Sequence, residues 1–306
     1  RAQRDIRTGR CQILFVIGLL IFLFPFVMRT ISYFNQTTAI YNYKSTTESL
    51  SEDELNEQKN HYNKYNEELA DENPIVEMSE DDFNVDETQS TYDFLNSDDA
   101  IGSLIIPSIN VNLPIFDGVT NLNLQKGIAH LDNTSYPTGE KSTHCVLAGH
   151  SGLSRAKILD DLDKVQIGDY FQIDYLNTTH NYVVVDIQIV LPEETESLRI
   201  KQDDTLVTLV TCTPKNINSH RLLVTGRLTD TIPQEQTLST WDYIVQFIKL
   251  NYIYIILFII FIICLIIFLK ERKKDKKVKN KDNKIKENEN IENVNNKEKE
   301  NNINKE

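Results

Sequence analysis

Two stretches of this chain carry no charged residue over a length that matters. Cys11 to Met28 (CQILFVIGLLIFLFPFVM) runs for 18 residues and Leu250 to Leu269 (LNYIYIILFIIFIICLIIFL) for 20. Wound as a helix, either is long enough to cross roughly 30 Å of hydrocarbon. A cleaved signal peptide has a shorter apolar core and a small-x-small cleavage site, which MRTISYFNQ does not offer. Both stretches therefore read as retained membrane spans. Arg1, Arg4, Arg7 and Arg10 precede the first and KERKKDKKVKNKDNK follows the second. Lys and Arg next to a span mark the cytoplasmic side, so residues 1–10 and 270–306 are expected inside and everything between the spans outside.

Charge follows the same partition. Residues 1–29 hold five Arg against one Asp, and residues 270–306 hold 13 Lys/Arg against nine Asp/Glu. With a formal net charge of -13 for the whole chain, the part between them carries about 21 excess negative charges. A surface so acidic does not neutralise phosphates, which excludes nucleic acid as a partner. Cysteine usage narrows the field further. Cys11 and Cys264 fall inside the spans, leaving Cys145 and Cys212 in an outside region where disulfides form. Two thiols are too few for a disulfide scaffold.

Between the spans the texture changes twice. Residues 29–72 contain no Gly or Pro and pattern as one or two helices, a helical stalk. Residues 73–99 (NPIVEMSEDDFNVDETQSTYDFLNSDD) are acidic and irregular. From residue 100 to 230 short β-rich runs alternate with turn residues, among them HCVLAGH, DYFQIDYL, NYVVVDIQIVLP, TLVTLVTCT and HRLLVTGRL. A hairpin is expected around Leu176 to His180, and SRAKILDDLDKV has helical spacing. This reads as a mainly β domain, a closed or nearly closed barrel with short helices and an N-terminal helical extension. Residues 231–249 read as a linker, and residues 270–306 as a Lys/Glu/Asn tail that buries no core.

Chemistry concentrates near two strand ends. Cys212 closes the β-branched run TLVTLVT and is followed by Thr213 and Pro214, which ends a strand. A thiol kept at a strand terminus outside the cell points to a used nucleophile. Such a thiol needs a base and a proton donor nearby. His150 ends CVLAGH between Gly149 and Gly152 and is the best placed. His130 and His144 read as turn residues, His61 lies in the stalk, His180 in the hairpin, and His220 alternates away from Arg221. Arg221 starts the strand after a short loop, nine residues past Cys212, where a guanidinium can stabilise a thiolate and an oxyanion. No metal-ligand spacing such as HExxH or paired CxxC occurs, so no cofactor is expected.

TLVTC with an arginine nine positions later, and AGH upstream, resembles the sortases, cysteine transpeptidases of Gram-positive cell surfaces. The blocks IPSINVNLPIFDG, GIAHLDNTSYPTGEKSTHCVLAGHSGL, KILDDLDKVQIGDYF and TLVTCTPKNINSHRLLVTGR resemble the class C, pilus-assembling members, as do the two spans. The resemblance implies a closed eight-stranded barrel flanked by transmembrane helices. It makes Cys212 the nucleophile, His150 the general acid/base and Arg221 the oxyanion or substrate stabiliser, with Arg227 on the surface and Cys145 a buried bystander. The implied reaction cleaves an LPxTG-like sorting signal, forms a thioacyl enzyme and passes the acyl group to a pilin lysine. A housekeeping sortase acting on peptidoglycan, and an inactive surface scaffold, are the alternatives. Class C members cover the site with a lid bearing Asp-Pro-aromatic. Here Asp81 and Phe83 stand at the matching spacing around Asp82, a departure from the pattern. Lys215 and Asn216, where relatives often carry an aromatic residue and Gly, are expected to alter substrate contact.

Overall fold

At Leu176-Asn177 two consecutive residues adopt the left-handed region (φ 45° and 57°), the two-residue turn whose twist suits an antiparallel ribbon. The flanking strands pair from Tyr170↔Val183 to Tyr175↔Thr178, so the expected hairpin is present. In this computed structural model, residues 2–78, 100–153, 156–215 and 217–230 are described, with Ile256, Ile259, Ile262 and Lys270 beyond them. Side chains of residues 2–16, 19, 20, 25 and 26 are not. Asp81, Asp82, Phe83, Asn216, the linker 231–249 and nearly all of 250–306 lie outside the described residues.

Eight strands close into a barrel. They are β1 (Gly102–Ile106), β2 (Val111–Asp117), β3 (Ile128–His130), β4 (Thr143–Ala148), β5 (Tyr170–Tyr175), β6 (Thr178–Val190), β7 (Thr205–Thr213) and β8 (His220–Leu228). Their order round the barrel is β1-β2-β3-β4-β7-β8-β6-β5, with β5 pairing back onto β1. Only β2–β3 and β4–β7 run parallel. The interior is filled by the alternate residues of each strand, among them Leu104, Leu113, Ile115, Leu147, Phe171, Ile173, Tyr182, Val207, Leu209, Leu222 and Val224. Closure leaves no edge strand exposed. The burial of β7 on both faces, residue after residue, shows that part of the outer wall is covered as well.

Phe171 and Tyr182 stack inside the barrel with centroids 5.3 Å apart. They can do so because Gly226 faces them. A Cβ there would lie 2.5 Å from the Phe171 ring and 2.9 Å from the Tyr182 Cβ. Gly226→Ala is therefore expected to destabilise the fold by about 1–3 kcal/mol through overpacking, read as a lower urea midpoint.

Two helices precede the barrel, α1 (Ala2–Ser49) and α2 (Glu52–Glu72). The break between them is a capping box. The Glu54 N–H donates to Ser51 Oγ at 3.3 Å while the Ser51 N–H donates to Glu54 Oε2 at 2.9 Å. The two helices expected over residues 29–72 are present, and they pack on the barrel. Ala39 and Tyr43 pack with Ala100 and Phe116, Lys44 pairs with Asp174 at 2.8 Å, and the Leu176 N–H donates to the Tyr43 hydroxyl at 2.7 Å. From α2, Asn66 reads the loop after β3 in both directions. Its Nδ2 donates to the Tyr136 carbonyl (3.0 Å) and its Oδ1 accepts the Tyr136 N–H (2.8 Å). Tyr62 and Tyr65 lean on the Tyr136 ring. Half-buried tyrosines and a buried asparagine carry no apolar period, which is why the docking is hard to read from the pattern.

The helical spacing of SRAKILDDLDKV is not realised. Its described part holds a single 3-10 turn, Leu162–Lys164. Asp160 explains this, because its side chain accepts the Ile158 N–H at 3.2 Å and so competes with a helical ladder. Among the described residues, no helix is long and apolar enough to cross a membrane. The stretch Cys11–Met28 lies within α1, and much of its side-chain structure is outside the description.

Candidate active site

Strand β7 presents Val207, Leu209 and Thr211 on one face and Thr208, Val210 and Cys212 on the other. The first set points into the barrel. Cys212 belongs instead to a second apolar cluster on the outer wall, with Val146, Ala148, Val210 and Leu223. Leu124 from the short helix α3 (Asn121–Lys126), Leu198, Val76 and Met78 cover that wall. The thiol is thus 3% exposed at the end of a strand roofed by neighbouring loops. Val76 and Met78 show that the chain leaving α2 runs onto the face that holds Cys212. Asp81 and Phe83 follow within a few residues, outside the described part.

Arg221 sits directly opposite Cys212 in the antiparallel β7–β8 register. Partners in such a pair share a face, so the spacing of nine residues is the loop length that sets guanidinium beside thiol. Its Nη1 donates to the Asn218 carbonyl at 3.0 Å and the His220 carbonyl at 3.3 Å, and the residue is 1% exposed. His220 points elsewhere, bonded to Ser219, as alternation predicts. Arg227 pairs with Asp204 at the surface.

His150 reaches the site from the other side. Strands β4 and β7 run in parallel register up to Ala148↔Val210, and the Gly149 N–H still donates to the Val210 carbonyl at 2.9 Å. One step further, His150 is level with Cys212. Three strands thus bring the three expected residues to one place, and all are nearly fully buried. Burial pulls the His150 pKa down to about 4. It pushes the Cys212 thiol up, opposed by the Arg221 charge. Near neutral pH the resting pair is thiol and neutral imidazole.

The remaining histidines do other work. His130 and His144, expected at turns, lie in β3 and β4 instead and are buried. Each has both ring nitrogens in hydrogen-bonding contact: His130 with Asp117 (3.2 Å) and the Ser135 carbonyl (3.2 Å), His144 with the Arg199 carbonyl (2.9 Å) and Thr208 (2.7 Å). Strand positions for polar rings go unrecognised when only apolar alternation is counted. Cys145 faces the barrel interior, free and fully buried, and burial pushes its thiol far up. Lys215 pairs with Asp163 at 3.7 Å, tying the loop after Cys212 to the loop after His150. Ser151, Thr211 and Asp160, which hold these loops, escape the sequence reading. For Ser151 and Thr211 the signal is a hydroxyl residue one place after the histidine and one place before the cysteine; Asp160 has none.

Comparison with known proteins agrees with this geometry. A family model described as Sortase domain matches residues 104–229. The structure of Streptococcus agalactiae sortase C1 in complex with MTSET is 36% identical, covers 64% of this chain and all of that one, and superposes with a TM-score of 0.56. Clostridium perfringens sortase C, solved with the C-terminal cell wall sorting motif, is 36% identical over 64% of this chain and all of that one, with a TM-score of 0.54. Sortase A of Bacillus anthracis is 28% identical over 138 residues, 45% of this chain and 63% of that protein. The match thus spans less than two thirds of this curated relative.

Proposed function

The chain belongs to the sortase family, and from that premise we propose that it is a membrane-anchored cysteine transpeptidase of the pilus-assembling kind. The observation that carries the reading is the pairing of Cys212 with Arg221 across β7–β8, with His150 level on the β4 side. Cys212 attacks the carbonyl of a threonyl-glycine-type bond in an LPxTG-like sorting signal. The thiol proton passes to His150 as the carbon–sulfur bond forms, and His150 then delivers it to the departing amine. Arg221 hydrogen-bonds the oxyanion. The product is a thioacyl enzyme, which an incoming lysine amine opens, giving its proton to His150 and restoring the Cys212 thiol. No redox step occurs and no cofactor takes part.

A pilin is the proposed substrate on both sides of the exchange, donor of the sorting signal and of the lysine. Support for anchoring comes from the charge-free run inside α1, where Ile17, Ile21, Phe22, Phe24 and Val27 are exposed, while Leu23 is half-buried and Met28 buried. A two-pass topology places residues 1–10 and 270–306 in the cytoplasm and the barrel outside.

The reading is tested by incubating the chain with a sorting-signal peptide and a choice of amines. A peptide adduct on Cys212 that hydroxylamine releases, and transfer to a lysine-bearing peptide in preference to a peptidoglycan crossbridge peptide, is the expected result. Preference for the crossbridge amine identifies a housekeeping enzyme, and absence of any adduct identifies an inactive scaffold. Lys215→Ala breaks the contact between the two loops. It is expected to change KM for the peptide by about threefold, a surface ion pair being worth little on its own.

A further inference from the structure

The parallel ladder between β4 and β7 ends beside the proposed nucleophile, and there side chains take over from main chain. Past the contact from Gly149 N–H to the Val210 carbonyl, Thr211 Oγ1 donates to the Gly149 carbonyl at 2.7 Å. Ser151 Oγ then donates to the Cys212 carbonyl at 2.6 Å. The residue before Cys212 thus holds the residue before His150, and the residue after His150 holds Cys212 itself. His150 is bracketed between two hydroxyl links to the strand of the nucleophile.

A second set of contacts fixes the loop from its other arm. Asp160 Oδ1 accepts the Gly152 N–H at 3.0 Å, Asp160 Oδ2 accepts the Ile158 N–H at 3.2 Å, and the His150 carbonyl accepts the Leu159 N–H at 3.0 Å. Both carboxylate oxygens are engaged by main-chain donors. Asparagine would offer one acceptor and set an NH2 group against the other N–H. The position therefore calls for a carboxylate, not merely a polar side chain.

We propose that Ser151 and Asp160 are positioning residues for the acyl transfer: Ser151 fixes His150 against the Cys212 backbone, and Asp160 fixes the arm that carries both. The inference rests on the roles given above to Cys212 and His150. Neither residue handles the transferred proton, since the Ser151 hydrogen is committed to a carbonyl and, among the described residues, Asp160 accepts hydrogen bonds from backbone N–H groups alone. Their effect is on placement. Proton transfer between a thiol and an imidazole demands near-contact alignment, and a shift of about 1 Å costs roughly a hundredfold in rate.

The test uses the full chain in detergent micelles with an LPxTG-type peptide, comparing wild type with Ser151→Ala, Ser151→Thr and Asp160→Asn. Ser151→Ala is expected to lower kcat by about 10- to 100-fold with KM within about twofold. The threonine variant keeps the donor and is expected to recover to within about threefold. Asp160→Asn is expected to lose about tenfold in kcat, also without a change in KM. Labelling of one thiol per chain by iodoacetamide verifies that each variant is folded around the site. A Ser151→Ala variant with wild-type kcat, a loss expressed in KM alone, or a threonine variant as impaired as the alanine one overturns the inference. A wild-type chain that forms no thioacyl adduct overturns the reading of the site, and this inference with it.

Discussion

Replacing Arg221 by lysine is expected to lower kcat/KM for a sorting-signal peptide by two to three orders of magnitude, about 3–4 kcal/mol of transition-state stabilisation. Charge is formally preserved, so the effect comes from shape. The guanidinium is planar, with five donors, and one of its nitrogens is already committed to the Asn218 and His220 carbonyls. The residue itself stands on the face shared with Cys212. An ammonium on a flexible stem has three donors and no fork, so satisfying the same carbonyls leaves little for an oxyanion. Arg221 also opposes the rise of the Cys212 thiol pKa. That influence is one of charge, which lysine keeps, so in the lysine variant the pH profile of Cys212 alkylation should stay close to that of wild type while kcat/KM falls. A variant that keeps kcat/KM within threefold would reduce Arg221 to a structural residue.

Acidification from pH 7 to pH 5 is expected to destabilise the barrel by several kcal/mol, well before its carboxylates protonate. His144 and His150 are buried, and burial lowers both to about 4 from an ordinary value of 6.5. A histidine with a depressed folded-state pKa binds its proton more readily when unfolded. Its contribution is intact above 6.5 and is lost as pH falls from there towards 4. At pH 5 each costs about 2 kcal/mol, and His180, lowered in the same direction, adds to it. Asp117, Asp161 and Asp174 are all held below the usual carboxylate range, so their losses begin only at lower pH. For His144 the chemistry is explicit. A neutral ring donates from Nδ1 to the Arg199 carbonyl and accepts at Nε2 from Thr208, whose own oxygen meets Thr225 at 2.8 Å. A second ring proton at Nε2 would force the Thr208 hydroxyl to turn from donor to acceptor inside a buried site. Urea midpoints at pH 7, 6 and 5 measure the slope, and His144→Gln should remove close to half of it. A flat profile over this range would mean that these rings are not neutral in the folded chain.

The barrel was largely legible in its alternating runs, and the site more so than the framework round it. Cys212 and Arg221 could be linked from sequence because a tight antiparallel connection converts a spacing of nine into a face-to-face pair. His150 could be linked because a strand leading to it ends in AGH, and parallel pairing on β7 brings it level with Cys212. Other features rest on polar contacts that no period announces. The capping box SEDE at residues 51–54 was open to reading and places the break between α1 and α2. Asn66 bonding to Tyr136, seventy residues away, was not. The helical spacing of SRAKILDDLDKV misled because spacing records where apolar residues fall, while Asp160 decides which carbonyls and amides pair.

The two thiols of the barrel face opposite sides of its wall, Cys145 inward and Cys212 outward. A peroxide that converts the Cys212 thiolate to a sulfenic acid therefore finds no resolving cysteine among the described residues of the wall. No disulfide between these two thiols of the wall can trap that first oxidised state and hold it short of the irreversible acids. Recovery falls to a small thiol or a reductase that can enter beneath the roof formed by Leu198, Val76 and Met78. Oxidative inactivation of this protein should accordingly be reversed by external reductant early, and not at all once exposure is prolonged.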